Sequence, residues 1–263
     1  MGGMIVLDLA ARHPEVVEGQ GPEVIFIHGW VASRRMWAHL SGALSGAYRC
    51  WSLDLPGCGD SDKPTNGWYS IPNYTAVLRE FMRAAGIERA RVVGHSMGGM
   101  IVLDLAARHP EVVERLVAIN PVVSGSVTLK PVAREWWGRP LLDLTLRLSP
   151  FVLQPVLNAP LLDGLTGVDF LRRRTQDFAK GTLESIVGSG RAAVTYSVAP
   201  HLPRITAPTL VLLGSVDMAV SNREGRLAAK RIPGARLEVL VGGHLVTDDR
   251  PVETVRLLRE FLA

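Results

Sequence analysis

The order of apolar and amphipathic segments along the chain constrains its fold more than any other feature. Short, almost continuously apolar runs bounded by turn residues are typical of strands that are covered on both faces in a parallel sheet. Segments with helical periodicity separate most of these runs, and this alternation predicts a doubly wound α/β sheet. The predicted strands are residues 23–27, 48–53, 90–93, 116–119, 209–213 and 237–241, and the predicted helices are residues 36–44, 74–85, 98–108, 223–230 and 252–262.

The alternation stops between residues 121 and 203, where several prolines punctuate short apolar segments and no strand pattern is found. We interpret this stretch as a helical cap inserted over one edge of the sheet. A second independent domain is less favoured, because the α/β pattern resumes afterwards and needs the first half to complete its sheet. The predicted organisation is therefore a core built from residues 19–120 and 204–263, interrupted by a cap at 121–203.

Residues 1–18 are identical to residues 97–114. Nothing else in the chain repeats, so this duplication does not predict a solenoid. We interpret it as a recent duplication, an artificial junction between two segments, or an assembly error in the gene. The second copy is predicted to be helical, whereas residues 4–10 of the first copy are predicted to form a strand at the sheet edge. A frayed or swapped helix is the alternative for the first copy.

Composition places the chain among folded globular proteins, since 47% of the residues are hydrophobic and 21% are charged. The net charge of +4 arises from scattered basic residues, so nucleic acid is not an expected partner. No apolar stretch is long enough for a membrane helix and the first residues do not resemble a secretory signal, so we expect no membrane partner and a cytoplasmic location. Two cysteines, Cys50 and Cys58, are expected to be unpaired thiols.

The motif most informative about chemistry is the Gly-x-Ser-x-Gly sequence of residues 94–98, centred on Ser96. It lies between a predicted strand and a predicted helix, and the flanking positions must be small because such a turn is sharp. The turn exposes the serine hydroxyl and places the positive end of the following helix near developing negative charge. The context predicts that Ser96 is a nucleophile and not simply a helix N-cap.

A serine hydroxyl is a weak nucleophile until a base takes its proton. The candidate base is His244, in a glycine-flanked loop after the last predicted strand, and the candidate acid that orients it is Asp217, after the penultimate strand. Asp54, Asp248 and Asp249 compete for the acid role. Asp54 better suits the stabilisation of its Pro-Gly turn, and the other two better suit capping of the last helix.

A His-Gly-Trp sequence, residues 28–30, follows the first predicted strand. The backbone N–H groups of Trp30 and Met97 are the candidate donors of an oxyanion hole, which would bind the negative charge of a tetrahedral intermediate. His28 and His95 are expected to be structural residues that pack around this loop and the serine turn.

Together with the loops at 54–61 and 214–217, these motifs resemble the α/β-hydrolase superfamily, in particular its small esterase, lactonase and haloperoxidase-like branch. The resemblance covers about residues 20–120 and 204–263. It implies the α/β-hydrolase fold, a Ser–Asp–His triad without metal or organic cofactor, and a cap that shapes the substrate pocket. Family members usually begin with a two-strand hairpin where the duplicated segment stands. Family members often have a histidine or an aromatic residue at the position of Cys58. We expect this difference to alter the packing of the loop and not the chemistry.

The motifs and the resemblance predict a serine hydrolase that cleaves a carboxylic ester, lactone or thioester through an acyl-enzyme. The apolar cap favours a small hydrophobic ester-like substrate, and the chain is expected to be a monomer or homodimer. Carbon–carbon bond hydrolysis and cofactor-free perhydrolysis with the same triad remain open, as does a ligand-binding protein on the hydrolase fold. Epoxide hydrolase and dehalogenase activities are disfavoured, because those relatives carry aspartate where this chain has Ser96.

Overall fold

The computed structural model describes residues 17–125 and 168–263. Within these ranges the strands are β1 (Val17–Glu18), β2 (Glu23–Ile27), β3 (Arg49–Leu53), β4 (Ala90–His95), β5 (Val113–Ile119), β6 (Thr209–Gly214) and β7 (Arg236–Leu240). They form one sheet in the order β1-β3-β2-β4-β5-β6-β7. The pairs from β3 to β7 are all parallel, and β1 pairs antiparallel with β3.

Helices connect the parallel strands and cover both faces of the sheet. They are α1 (Ala38–Leu44), α2 (Ile71–Ala84), α3 (Met97–Arg108), α4 (Val168–Ala179), α5 (Leu183–Thr195), α6 (Asn222–Arg231), α7 (Val246–Asp249) and α8 (Pro251–Leu262), with a 3-10 turn at Arg34–Trp37 directly before α1.

Two apolar cores, one on each face of the sheet, explain the continuously apolar strands. Val92 and Leu116 are fully buried in a core that includes residues of α2 and α3, whereas their neighbours Val93 and Val117 are fully buried in a second core with α1 and α8. Successive strand side chains point to opposite faces, so both faces must be covered. The predicted doubly wound α/β architecture is therefore confirmed.

The predicted elements differ from the observed ones mainly at their ends. The predicted helix at 36–44 begins as a 3-10 turn, and β5 starts at Val113, ahead of the predicted residue 116. α2 begins at Ile71 because the Ser70 hydroxyl accepts a hydrogen bond of 3.2 Å from the Asn73 N–H. Pro251 occupies the first turn of α8, as predicted.

The structure describes residues 17–18 of the first duplicated copy, and these form the edge strand β1. Their counterparts in the second copy, residues 113–114, begin β5, while residues 97–108 of that copy form α3, the predicted helix. The expected strand at residues 4–10 lies outside the described residues. Within the described part of the chain, the sheet edge where family members usually have a hairpin carries the short strand β1, antiparallel to β3.

The described part of the predicted cap, which includes α4 and α5, contains no strand, as expected. α5 begins with a reciprocal capping box, in which Thr182 and Ser185 each accept a backbone N–H with a side-chain oxygen. Residues 126–167 of this stretch are outside the described ranges. Across the residues that are described, no helix has the length and apolar character required to cross a bilayer.

Candidate active site

Ser96 lies in the turn between β4 and α3, with φ +56° and ψ −116°. A positive φ is rare for a non-glycine residue and is typical of strained functional turns. The two glycines of the motif are required by close packing. A Cβ at Gly94 would lie 2.3 Å from the Gly98 carbonyl oxygen, and one at Gly98 would lie 2.2 Å from the Ile27 carbonyl oxygen.

The structure brings together Ser96, His244 and Asp217, the three candidate catalytic residues. His244 Nε2 lies 3.0 Å from Ser96 Oγ, and His244 Nδ1 lies 2.7 Å from Asp217 Oδ2. The three residues, Ser96, His244 and Asp217, follow β4, β7 and β6, so the carboxyl ends of parallel strands in one sheet bring them to the same edge. The geometry is that of a hydroxyl, a base and an orienting acid in series.

The Asp217 carboxylate is held in a fixed orientation. Its Oδ1 accepts hydrogen bonds of 2.8 and 2.9 Å from the N–H groups of Ala219 and Val220, and its side chain is only 1% exposed. Oδ2 is therefore directed at His244 Nδ1, which donates to it. This leaves the Nε2 lone pair facing the Ser96 hydroxyl, as a general base requires.

Asn120 was not predicted as a site residue, yet it holds the loop that carries His244. It is buried directly after β5, with φ +42°. Its amide donates to the carbonyl oxygens of Gly243 at 3.2 Å and His244 at 2.8 Å, and its own oxygen accepts from the Gly214 N–H at 2.8 Å. The only sequence signal was a polar residue directly after a buried strand, at the edge where Ser96 lies.

His95 also supports the histidine loop, since its Nε2–H donates to the His244 carbonyl oxygen at 2.7 Å. His28 links two other loops: its Nε2 accepts from the Leu55 N–H at 3.0 Å, and its Nδ1–H donates to the Gly29 carbonyl at 2.8 Å. Both histidines are buried. Each therefore has the structural place that the sequence predicted.

The expectation for Asp248 and Asp249 was wrong. Both lie in α7, and the residue at the N-cap of α8 is Arg250. Asp249 Oδ2 instead accepts from the Gly243 N–H at 2.7 Å, because the chain folds back so that α7 lies beside the histidine loop. Asp54 does stabilise its turn, as predicted, by accepting from the Asp60 N–H at 2.9 Å.

The candidate oxyanion donors lie on two backbone segments that meet at Ser96. Met97 is the first residue of α3, so its N–H has no acceptor within the helix. Trp30 follows Gly29, whose backbone approaches so closely that a Cβ there would lie 3.0 Å from Ser96 Cβ. Both N–H groups therefore belong to backbone adjacent to the candidate nucleophile.

Cys58 is a free thiol, as predicted, and both Cys58 and Cys50 are buried. Burial, together with the smaller effect of the neighbouring Asp54 carboxylate, raises the pKa of the Cys58 thiol to about 12. The Cys58 side chain is therefore a neutral packing group in the 54–61 loop. Among the described residues, no three histidine, cysteine or acidic side chains are grouped closely enough to hold a metal ion.

Comparison with known proteins agrees with this architecture. Residues 22–251 match the model of the alpha/beta hydrolase fold family. The chain belongs to this family.

Its relatives carry several activities. It is 30% identical to fluoroacetate dehalogenase of Burkholderia sp, across 94% of this chain and 89% of that protein. It is 28% identical to the pimeloyl-[acyl-carrier protein] methyl ester esterase of Neisseria meningitidis serogroup B, across 83% of each protein. The crystal structure of the enol-lactonase from Burkholderia xenovorans LB400 superposes with a TM-score of 0.77 at 26% identity, over 93% of this chain and 92% of that one.

Proposed function

We propose that this protein is a serine hydrolase that cleaves a carboxylic ester, lactone or thioester. The observation that carries the proposal is the continuous hydrogen-bonded series from Ser96 Oγ through the His244 ring to the Asp217 carboxylate. A strained turn, two obligatory glycines and a buried acid maintain this series, and a merely structural serine needs none of them.

In this mechanism Ser96 Oγ attacks the substrate carbonyl carbon while His244 Nε2 takes the hydroxyl proton. Asp217 stabilises the imidazolium that forms, and the N–H groups of Trp30 and Met97 bind the oxyanion. The tetrahedral intermediate collapses to an acyl-enzyme, and His244 gives its proton to the departing alcohol or thiol. Water, deprotonated by His244, then attacks the acyl carbon, and Ser96 leaves with the proton.

The names of the relatives support acyl chemistry more than displacement at carbon. An ester esterase and an enol-lactonase both act on carbonyl compounds of the proposed class. The relative named for dehalogenation is similarly distant, but the resemblance to dehalogenases implies an aspartate nucleophile, and this chain has Ser96 at that position. We therefore infer the reaction class from the nucleophile and not from the percentage identity to any one relative.

The direct test is hydrolysis of p-nitrophenyl butyrate by the wild type and by Ser96→Ala. We expect the variant to lose nearly all turnover and to resist labelling by a fluorophosphonate, which phosphonylates an activated serine. Ser45→Ala is the matched control, since the Ser45 hydroxyl bonds only to the Gly42 carbonyl at the end of α1 in the described contacts. Equal rates for Ser96→Ala and the wild type would refute the proposal.

A further inference from the structure

α5 carries two glycines in its interior, Gly188 and Gly190, although glycine is one of the least favourable residues for a helix. Each makes room for an aromatic ring from a loop of the core. A Cβ at Gly190 would lie 3.1 Å from Trp30 Nε1 and 3.2 Å from Trp30 Cε2. A Cβ at Gly188 would lie 2.5 Å from Tyr69 Cδ2.

These two contacts lie on different sides of α5. Residues two positions apart on a helix are rotated by roughly 200°. The Trp30 ring and the Tyr69 ring therefore pack on nearly opposite sides of α5, and together they fix both its rotation and its position. The two aromatic residues belong to the segments that follow β2 and β3, so α5 lies at the carboxyl edge of the sheet, where Ser96 is found.

The contact with Trp30 is also a directed hydrogen bond. Trp30 Nε1–H donates to the Ile186 carbonyl oxygen at 2.9 Å, across 156 positions of the chain. Ile186 lies within α5, so its carbonyl oxygen uses a second lone pair to accept the indole. The residue whose backbone N–H is the candidate oxyanion donor is therefore tied through its side chain to α5.

The loop that this bond supports is strained. Val31, the residue after Trp30, has φ +49°, a conformation that β-branched residues rarely adopt. Such a backbone persists only where the surrounding structure holds it. The Trp30 indole, seated against Gly190 and bonded to Ile186, is a support of this kind directly beside the strained residue.

We propose that α5 is a positioning element for the oxyanion hole. It acts through the bond between the Trp30 indole and the Ile186 carbonyl, and Gly190 provides the space that allows the bond to form. The proposal rests on the proposed function, since it assumes that Ser96 forms a tetrahedral adduct. A movement of α5 would then change the rate of the chemical step and not only the shape of the pocket.

Two variants test the contact from opposite sides. Trp30→Phe keeps a ring against Gly190 but removes the N–H donor, whereas Gly190→Ala keeps the donor but pushes the ring away. Loss of a complete oxyanion donor lowers kcat by about 10²–10³-fold, so we expect a misplaced donor to lower it by about tenfold or more, with KM changed less than about twofold.

Ligand binding separates this positioning role from a general structural one. Butylboronic acid forms a tetrahedral adduct with an activated serine, and we expect its affinity to fall by the same factor as kcat. The amide group of butyramide is planar and forms no tetrahedral adduct with the serine, so the affinity for butyramide should stay at the wild-type value. Trp51→Phe is the matched control, because the Trp51 indole donates to Glu23, on β2, and should leave kcat unchanged.

Wild-type kcat and boronate affinity in both Trp30→Phe and Gly190→Ala would overturn the proposal. An equal loss in Trp51→Phe would also overturn it, because the effect would then reflect general destabilisation. A wild type without turnover that depends on Ser96 would instead refute the proposed function itself. The two failures are therefore distinguishable.

Discussion

Replacing Asn120 by aspartate tests how His244, the proposed catalytic base, is held. The substitution keeps the shape of the side chain and suits the positive φ, since aspartate also tolerates that region. It removes the amide donor and places a carboxylate oxygen against the carbonyl oxygens of Gly243 and His244. The bond that the side chain accepts from the Gly214 N–H is retained.

The size of the effect follows from these contacts. His244 keeps the hydrogen bond from His95, but the Gly243 carbonyl loses its Asn120 partner and the new charge is buried. Leaving a buried polar group unsatisfied costs about 1–3 kcal/mol of the free energy of unfolding. Since the imidazole lies on the affected loop, we expect kcat to fall by about tenfold to hundredfold, at about 1.4 kcal/mol for each factor of ten.

The effect should depend on pH in a defined direction. Burial raises the pKa of the introduced carboxyl, and its protonated form can again donate to a carbonyl oxygen. A group whose pKa is higher in the folded protein stabilises it at low pH and loses that contribution as the pH rises. The stability gap between Asn120→Asp and the wild type should therefore narrow in mild acid and widen at alkaline pH.

Guanidinium chloride denaturation in mild acid and at alkaline pH measures the change in stability, and steady-state hydrolysis of p-nitrophenyl butyrate measures the change in kcat. Asn73→Asp is the matched control, because the Asn73 amide also donates to a backbone carbonyl, that of Trp68, at the start of α2. It should leave kcat at the wild-type value. Wild-type kcat in Asn120→Asp at alkaline pH would refute the idea that this side chain positions His244.

Two further substitutions and one labelling experiment have defined outcomes. Asp217→Asn should lower kcat for p-nitrophenyl butyrate by about 10⁴-fold, because an amide no longer selects the required tautomer of His244. Cys58 should not react with Ellman's reagent in the native protein at about pH 8, since a pKa of about 12 leaves almost no thiolate. A hydrogen bond from Lys180 lowers the pKa of Asp60 below its usual 3.8, so Asp60 stabilises the fold above that pH and loses this effect as the pH falls through its folded-state pKa. Thermal unfolding across acidic pH should therefore show that the stability advantage of the wild type over Asp60→Asn shrinks as the pH falls.

Each of these expectations has a contrary result. Activity of Asp217→Asn within about tenfold of the wild type would show that another group orients the histidine. Rapid labelling of the native thiols would contradict their burial, whereas unfolding should expose both Cys50 and Cys58 to the reagent. A stability difference for Asp60→Asn that does not change with pH would show that its hydrogen bond with Lys180 does not depend on charge.

The sequence predicted the parts of the fold that depend on local patterns. Within the predicted strand 209–213, residues 210–213 are all apolar, and only a strand covered on both faces buries all of them, as the two cores show for β6. Element ends were less predictable. The start of α2 depends on whether the Ser70 hydroxyl faces the helix, and hydrophobic periodicity contains no information about that contact.

In the candidate site, too, local motifs could be predicted from the sequence, whereas contacts between distant segments could not. The motif around Ser96 combines residue identity with the order of strand, turn and helix, so it could be recognised from the sequence alone. Asn120 was missed because its partner, the Gly243 carbonyl, lies far along the chain. Asp249 was misassigned because the chain folds back after the histidine loop and brings its carboxylate to the Gly243 N–H.

The sequence by itself determined the α/β architecture, the strained serine turn and the identities of the candidate base and acid, because periodicity, glycine spacing and chain order are properties of neighbouring residues. Only the tertiary structure decided which carboxylate faces His244, what holds the histidine loop, and that the Trp30 indole reaches Ile186. Hydrogen bonds are short and directional, so contacts between distant segments depend on how the strands and helices pack. No local pattern records that packing.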